Sequence, residues 1–250
     1  MHNDKKAATD ALIDLLRAAP ILAILDRPEI DALTSLTVIN NLFSADKTII
    51  EQGARVQSMH LVYSGWGCVY RDLSKGERQI IDFPMRSDFV GLRTADGYNF
   101  NTIASITPMR ILEIPLDSLE EAILKAPRLG IMVIELLARH RAVLTEHLTN
   151  VSCRSASVRT AHFLLELSDR VKWCGSGDPD SFYCPLTQYQ LAFALGLTPI
   201  HLNRMLRELR EDNLVVFRSS RVDILDRKRL TSLAEYNGDF MRMSVFGKRH

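Results

Sequence analysis

Apolar and polar positions change rhythm several times along the chain. From about Ala7 to Phe43 the apolar residues recur at the three-to-four spacing of amphipathic helices. From Thr48 to Ile114 the rhythm shortens into alternating segments, TIIEQG, MHLVYSG, GCVYRDL, RQIIDF, IASIT and RILEIP, punctuated by Gly53, Gly65, Gly76 and Gly91. Short alternating runs between glycines predict a compact β-roll or barrel. Helical spacing resumes after Pro115. Between Pro127 and Val151, Ile134, Leu137, Leu144, Leu148 and Val151 form a heptad-like stripe in which Arg141 takes one seam position. Such a stripe either packs on the β-roll of its own chain or joins two copies, and a polar residue that can set register between chains favours the homodimer. A further helix, SASVRTAHFLLELSDRVKW, precedes the loop CGSGDPDSFYC, rich in Gly, Ser, Asp and Pro.

The segment PLTQYQLAFALGLTPIHLNRMLRELREDNLV, Pro185 to Val215, reads as two short helices followed by a strand. Leu186, Leu191, Leu195, Leu197, Leu202, Met205 and Leu209 make two apolar faces that can be buried together only if the helices cross near Gly196. Ala192 permits close approach, Gly196 takes a left-handed turn at low steric cost, and Leu202 plugs the crossing. Thr187 and Thr198 are expected N-caps, and Pro199 suits the first turn of the second helix. That helix carries His201, Arg204, Arg207 and Arg210; Arg204 and Arg207 share a face and Arg210 extends it. LVVFRSSRVDIL then predicts strand, polar turn, strand, with Arg218 and Arg221 at the tip, completing a winged helix-turn-helix. DRKRLTSLAEY predicts a short helix, and the tail NGDFMRMSVFGKRH lacks a usable period.

With 250 residues, 46% of them hydrophobic, the chain can fill one large domain or two of ordinary size. A formal charge of +1 supplies no global field for a polyanion, so nucleic-acid binding has to rest on a local patch. From Cys153 to Arg229 there are twelve Arg and Lys against nine Asp and Glu, an excess that matters because the arginines gather on one helix and the wing. Helix N-termini and guanidinium groups hold phosphates, while a projecting helix face reads base edges. Cys68, Cys153, Cys174 and Cys184 contain no C-x-x-C pair, which predicts reduced thiols rather than a disulfide framework or zinc knuckle. The absence of a long apolar run predicts a soluble, cytoplasmic protein with no membrane partner. No G-x-S-x-G, H-E-x-x-H, G-x-G-x-x-G or P-loop occurs, so an enzyme is not expected. His140 and His147 share a helix face, but no third ligand follows at matching spacing, and no metal site is expected.

At this point the chain resembles the Crp/Fnr family of bacterial transcription regulators. TIIEQGARVQSMHLVYSGWGCVYR is similar to the first half of a cyclic-nucleotide-binding β-roll, Pro127 to Val151 to the family's long dimer helix, and LTQYQLAFALGLTPIHLNRMLRELREDNLV to its helix-turn-helix. The last of these is close to a branch frequent in alphaproteobacteria with a similar HVNR segment. The resemblance implies an α+β protein with an N-terminal β-roll, a long dimerisation helix and a C-terminal winged helix-turn-helix. It also implies a homodimer on a near-palindromic site in double-stranded DNA that touches RNA polymerase. The corresponding domains are a sensor roll over 1–126, a dimer helix over 127–152, a DNA-binding domain over 153–230 and a tail over 231–250.

Two departures qualify the resemblance. Nucleotide-binding members follow a cassette glycine with a ribose-binding acid, and later carry an arginine and a small hydroxyl residue for the cyclic phosphate. In SDFVGLRTADGYNFNTIASIT, Leu92 stands at the acid's place and Asn101-Thr102 at the arginine pair's, which makes Phe89, Gly91, Leu92, Arg93, Asn101 and Thr102 a degenerate effector pocket. Cyclic-AMP dependence is therefore not expected, no cofactor is assigned, and the effector is unknown. No cysteine precedes Cys68, so the N-terminal cysteine cluster that binds iron–sulfur in other members is absent too. Haem sensing through His60 or Cys68, redox sensing by the β-roll, or a β-roll interaction module that has lost DNA binding, are the alternatives. Members commonly read a cytosine and a guanine with a glutamate and an arginine one turn apart; here Ile200 takes the glutamate's place, Pro199 replaces a polar residue, and Arg204 remains. The expected DNA contacts are thus Arg204 on guanine, Ile200 on a thymine methyl, His201 and Asn203 as secondary readers or phosphate contacts, with Thr187, Gln188, Thr198, Arg207, Arg218 and Arg221 beside them on the interface.

Overall fold

The structure, a computed structural model, describes residues 2–18, 25–74, 76, 78–175 and 177–242. Positions 19–24 of the first helical stretch and 243–250 of the tail lie outside the described residues. The chain forms two compact units, divided principally between His140 and Arg141.

Two helices, α1 (His2–Ala18) and α2 (Arg27–Ser35), lead into the first unit. Ala8, Ala11, Leu12, Leu15 and Leu16 of α1 are buried, the spacing of one helix face. At the start of α2 the Asp26 N–H donates to Glu29 Oε2 at 3.0 Å, which satisfies a donor that the helix itself leaves unpaired. The helical reading to Phe43 is corrected here: Ile39–Phe43 is a strand, β1, paired antiparallel with Met109–Pro115. Five residues at a sheet edge are too few to fix a period, and Asn41 is held by a cross-strand bond to Glu113 at 2.9 Å that local spacing does not announce.

The strands that follow are β2 (Thr48–Ile50), β3 (Ser58–Ser64), β4 (Gly67–Asp72), β5 (Arg78–Asp82), β6 (Phe89–Val90), β7 (Thr102–Ser105) and β8 (Met109–Pro115). They form two four-stranded sheets, in the orders β1-β8-β3-β6 and β2-β7-β4-β5. Ile50 and Ile103 from one sheet bury together with Val62, Val90, Met109 and Ile111 from the other, so the two sheets share one core. Each such aliphatic side chain contributes about 1.5–3 kcal/mol on burial. Gly65 turns β3 into β4 at φ +93, and a Cβ there would stand 2.4 Å from the Pro108 carbonyl oxygen. Only glycine fits. The helices α3 (Leu116–Lys125) and α4 (Arg128–Cys153) follow.

The second unit is built on α5 (Ala156–Trp173), whose residues from Thr160 to Ser168 are all buried. Around it stand α6 (Gln188–Ala194), α7 (Pro199–Glu211), α8 (Arg227–Ala234), a 3-10 turn over Gly238–Arg242, and a sheet of β9 (Ser181–Tyr183), β10 (Val215–Arg218) and β11 (Arg221–Ile224) in the order β10-β11-β9. The expected loop CGSGDPDSFYC is corrected in part, because its Ser181–Tyr183 pairs with Asp223–Arg221 as an edge strand. A three-residue strand with a distant partner leaves no period to read. In the tail, Phe240 and Met241 pack on Ala142 and Val143, with Trp173 and Tyr236 against them. The architecture is the expected one: β-roll, long helix and winged helix-turn-helix.

Candidate functional site

Both helices of the C-terminal motif start on threonine caps. Thr187 Oγ1 accepts from the Gln190 N–H at 3.2 Å while Gln190 Oε1 accepts from the Thr187 N–H at 2.8 Å, a reciprocal capping box. Thr198 Oγ1 accepts from the His201 N–H at 3.2 Å, and Pro199 occupies the first turn of α7. Between the helices Gly196 takes φ +61, with Ala192 and Leu202 fully buried at the crossing. A Cβ on Gly196 would meet Val151 Cγ1 at 3.4 Å and Arg159 Nη1 at 3.5 Å, ordinary contact distances, so the positive φ rather than lack of space calls for glycine here.

Helix α7 buries Leu202, Met205 and Leu209. Apart from Glu211 at the helix end, the positions left outward are Ile200, 85% exposed, with Asn203, Arg204 and Arg207. Those four stand at offsets of three, four and seven, so they share one face. A large aliphatic side chain that exposed, flanked by guanidinium and amide groups, is what a groove-reading helix presents. Arg204 Nε lies 3.7 Å from Glu208 Oε1 and Arg207 Nε 3.5 Å from Glu211 Oε1. Exposed pairs one turn apart are worth about 0.3–0.5 kcal/mol, too little to withhold either guanidinium from DNA. His201 is half-buried, as is Arg210, whereas Gln188 at the start of α6 is exposed and accepts from Asn203 Nδ2 at 2.7 Å.

Arg218 and Arg221 flank the wing turn, in which Ser219 and Ser220 take φ +50 and +57. Two consecutive left-handed residues make the turn that matches strand twist. Arg218 is exposed, while Arg221 Nε donates to Ser181 Oγ at 2.9 Å and Asp223 Oδ1 at 3.0 Å. The Ser181 hydroxyl first, and then Arg221, hold the Asp223 carboxyl below the usual carboxylate range. Arg221 is thus paired within the sheet by an exposed ion pair, while Arg218 stands exposed at the tip.

Sequence spacing missed Arg159. Its Nη1 donates to the Leu195 carbonyl at the end of α6 at 2.7 Å, and its Nη2 to the Arg154 carbonyl just beyond α4 at 3.1 Å. One guanidinium therefore ties two helix C-termini, where the backbone dipole favours a cation. The residues expected at a dimer seam lie along α4, with Ile134 45%, Leu148 69% and Val151 36% exposed, Arg141 exposed, and Leu137 and Leu144 half-buried.

In the β-roll, Phe89 and Val90 form β6 and Gly91 follows at φ +82. A Cβ on Gly91 would meet His60 Nδ1 at 3.0 Å and Ile50 Cδ1 at 3.1 Å, so core side chains stand directly against this glycine. Burial lowers the His60 pKa, with the Glu113 carboxylate opposing it. Leu92 is 49% exposed, Arg93 is exposed beside Gly97, and Thr102 Oγ1 accepts from the Gln52 N–H at 3.2 Å. Asn101 Oδ1 accepts from Arg71 Nε at 3.2 Å and Nη2 at 3.0 Å, and the Arg71 guanidinium lies 5.4 Å over the Phe100 ring. Arg71 was invisible to spacing because it comes from β4. Cys68, like His60, is a buried strand residue, and among the described residues no group of three or more His, Cys, Asp or Glu is arranged to hold a metal.

Residues 158–233 match the Crp-like helix-turn-helix domain and residues 41–126 the cyclic nucleotide-binding domain. The chain belongs to the Crp/Fnr family. Among relatives of this Crp/Fnr protein, the nitrogen fixation regulation protein FixK of Bradyrhizobium diazoefficiens is 26% identical over 194 residues, 77% of this chain and 80% of that one. The transcriptional activator protein FnrA of Stutzerimonas stutzeri is 26% identical over 211 residues, 84% and 86% of the two chains. The solved structure of FixK2 from Bradyrhizobium japonicum shares the fold with a TM-score of 0.68, at 24% identity over 79% of this chain and 98% of that one. The Crp/Fnr chain is a DNA-binding transcription regulator, and among its described residues no helix is long and apolar enough to cross a membrane.

Proposed function

We propose that this regulator binds a near-palindromic promoter site as a homodimer joined through α4, reads each half-site with α7, and does not answer to cyclic AMP. The observation that carries the reading is the single outward face of Ile200, Asn203, Arg204 and Arg207 on a helix whose opposite side is core. Arg204 donates to guanine O6 and N7, Ile200 touches a thymine methyl, and His201 assists. Thr187, Gln188, Thr198 and Pro199 place two helix starts on phosphates, and Arg207, Arg218 and Arg221 add cations there. The sensor roll over 1–126, dimer helix over 127–152 and DNA-binding domain over 153–230 act as one cytoplasmic regulator that touches RNA polymerase and performs no catalysis.

Selection from a library of random duplexes tests this. Arg204→Ala is expected to lose about 1–3 kcal/mol and the preference for one guanine per half-site. An unchanged base preference at every position would move Arg204 to the phosphate contacts and remove the proposed readout.

A further inference from the structure

Gln188 and Asn203 sit on different helices, fifteen residues apart, both exposed, and are joined by the 2.7 Å bond from Asn203 Nδ2 to Gln188 Oε1. A single hydrogen bond between neutral, water-exposed amides adds little to folding, because water would satisfy the same groups. Its consequence is orientation. Asparagine has two flexible torsions, and a free amide on a helix surface samples several directions at a cost to any partner that needs one.

From this we infer that Gln188 is a positioning residue for Asn203, and that the fixed Asn203 amide is a specificity-determining reader of adenine. The inference rests on α7 being the reading helix. In this reading the Nδ2 hydrogen anti to Oδ1 goes to Gln188, which leaves the syn hydrogen and Oδ1 as a donor and acceptor side by side. That edge complements adenine, whose N7 accepts and whose N6 amino group donates in the major groove. Asn203 stands between Ile200 and Arg204 on the outward face, so its base lies next to those they read. Gln188 keeps its own amino group for a phosphate, which gives it two separable roles.

The test uses the full chain and a random duplex library, with affinities then measured on the selected site and on that site with the candidate adenine pair changed. Asn203→Ala is expected to abolish discrimination at one adenine per half-site, about tenfold, while leaving the guanine preference attached to Arg204 intact. Gln188→Ala should weaken that same adenine preference and also lower affinity for all sequences. Gln188→Glu separates the two roles, since a carboxylate still accepts from Asn203 but repels phosphate: adenine preference stays and overall affinity falls. The double variant Gln188→Ala, Asn203→Ala should discriminate no less than Asn203→Ala alone. The inference is overturned if Gln188→Ala weakens all sequences equally, or if Asn203→Ala retains the wild-type preference. Loss of the guanine preference in Asn203→Ala would instead count against α7 being seated as proposed.

Discussion

Arg139 of α4 donates through Nη2 to Asp88 Oδ1 at 2.7 Å, with each side chain only 7% exposed, and so fastens the long helix to the turn that precedes β6 and Gly91. Asp88 also accepts from the Met85 N–H at 2.9 Å, which fixes the carboxylate in its turn. A buried ion pair need not add net stability, but removing the Asp88 carboxylate takes away an acceptor that both the Arg139 guanidinium and the Met85 N–H use. Asp88→Ala is expected to destabilise the protein by about 1–3 kcal/mol, because buried donors on Arg139 and Met85 lose this acceptor. Replacing both, with Arg139→Met and Asp88→Ala, should recover part of that loss. Urea unfolding of the single and double variants measures it, and equal losses in the two would show that the cost does not arise at Arg139.

The α4 stripe leads to a second expectation. Ile134, Leu148 and Val151 are exposed, whereas Leu129, Met132, Leu136, Ala142 and Val143 on other faces of the helix are buried. Apolar residues at seam spacing on the open side of a helix gain about 1.5–3 kcal/mol each when a second copy covers them. Leu137→Glu with Leu144→Glu is expected to yield monomers by light scattering. A double variant that remains a dimer would place the interface elsewhere.

What the sequence made legible divides by range. The helix-turn-helix was readable because its signals are local: Thr187 and Thr198 cap, Pro199 starts and Gly196 turns within a dozen or so residues, each through its own backbone preference. Features that depend on a distant partner were not. Ile39–Phe43 became a strand because β8 lies beside it, and Ser181–Tyr183 because β11 does. Arg159 on Leu195, Arg71 on Asn101 and Asn203 on Gln188 are likewise tertiary facts about ordinary-looking side chains. In the β-roll, the missing acid at Leu92 was visible from the family resemblance, but the packing of His60 and Ile50 against Gly91 needed the fold.

That packing sharpens the expectation for cyclic AMP. A bound cyclic nucleotide needs its charged phosphate and ribose hydroxyl satisfied, and Leu92 offers no acceptor where an acid would stand. Arg71, the guanidinium nearest Asn101, is held by that residue and stacked over Phe100. Isothermal titration is expected to show no binding, or binding far weaker than micromolar. Low-micromolar affinity for the wild-type chain would mean that the cassette residues have been misassigned.

The last expectation concerns acid. His162 on α5 is 1% exposed, packed edge-on against Tyr236 with ring centres 4.9 Å apart. Its Nε2 lies 3.4 Å from Glu146 Oε2, but that carboxylate oxygen is shared with Arg154 Nη1 at 3.3 Å and does not hold a proton on the imidazole. Burial first, then the charges of Arg154 and His147, lower the His162 pKa from 6.5 to about 3. The folded pKa is therefore below the unfolded one, and between the two the unfolded chain binds more protons. This group's stabilising contribution is complete above pH 6.5 and is lost progressively as the pH falls toward 3. At about 1.4 kcal/mol for each unit below the unfolded value, the loss at pH 5 is about 2 kcal/mol. His162→Gln keeps a donor for Glu146 and removes the titration, so its stability should fall less than the wild type's between pH 7.5 and 5. Urea unfolding at both pH values reads the difference directly: parallel losses in wild type and variant would show that His162 is not the group whose protonation opposes the fold.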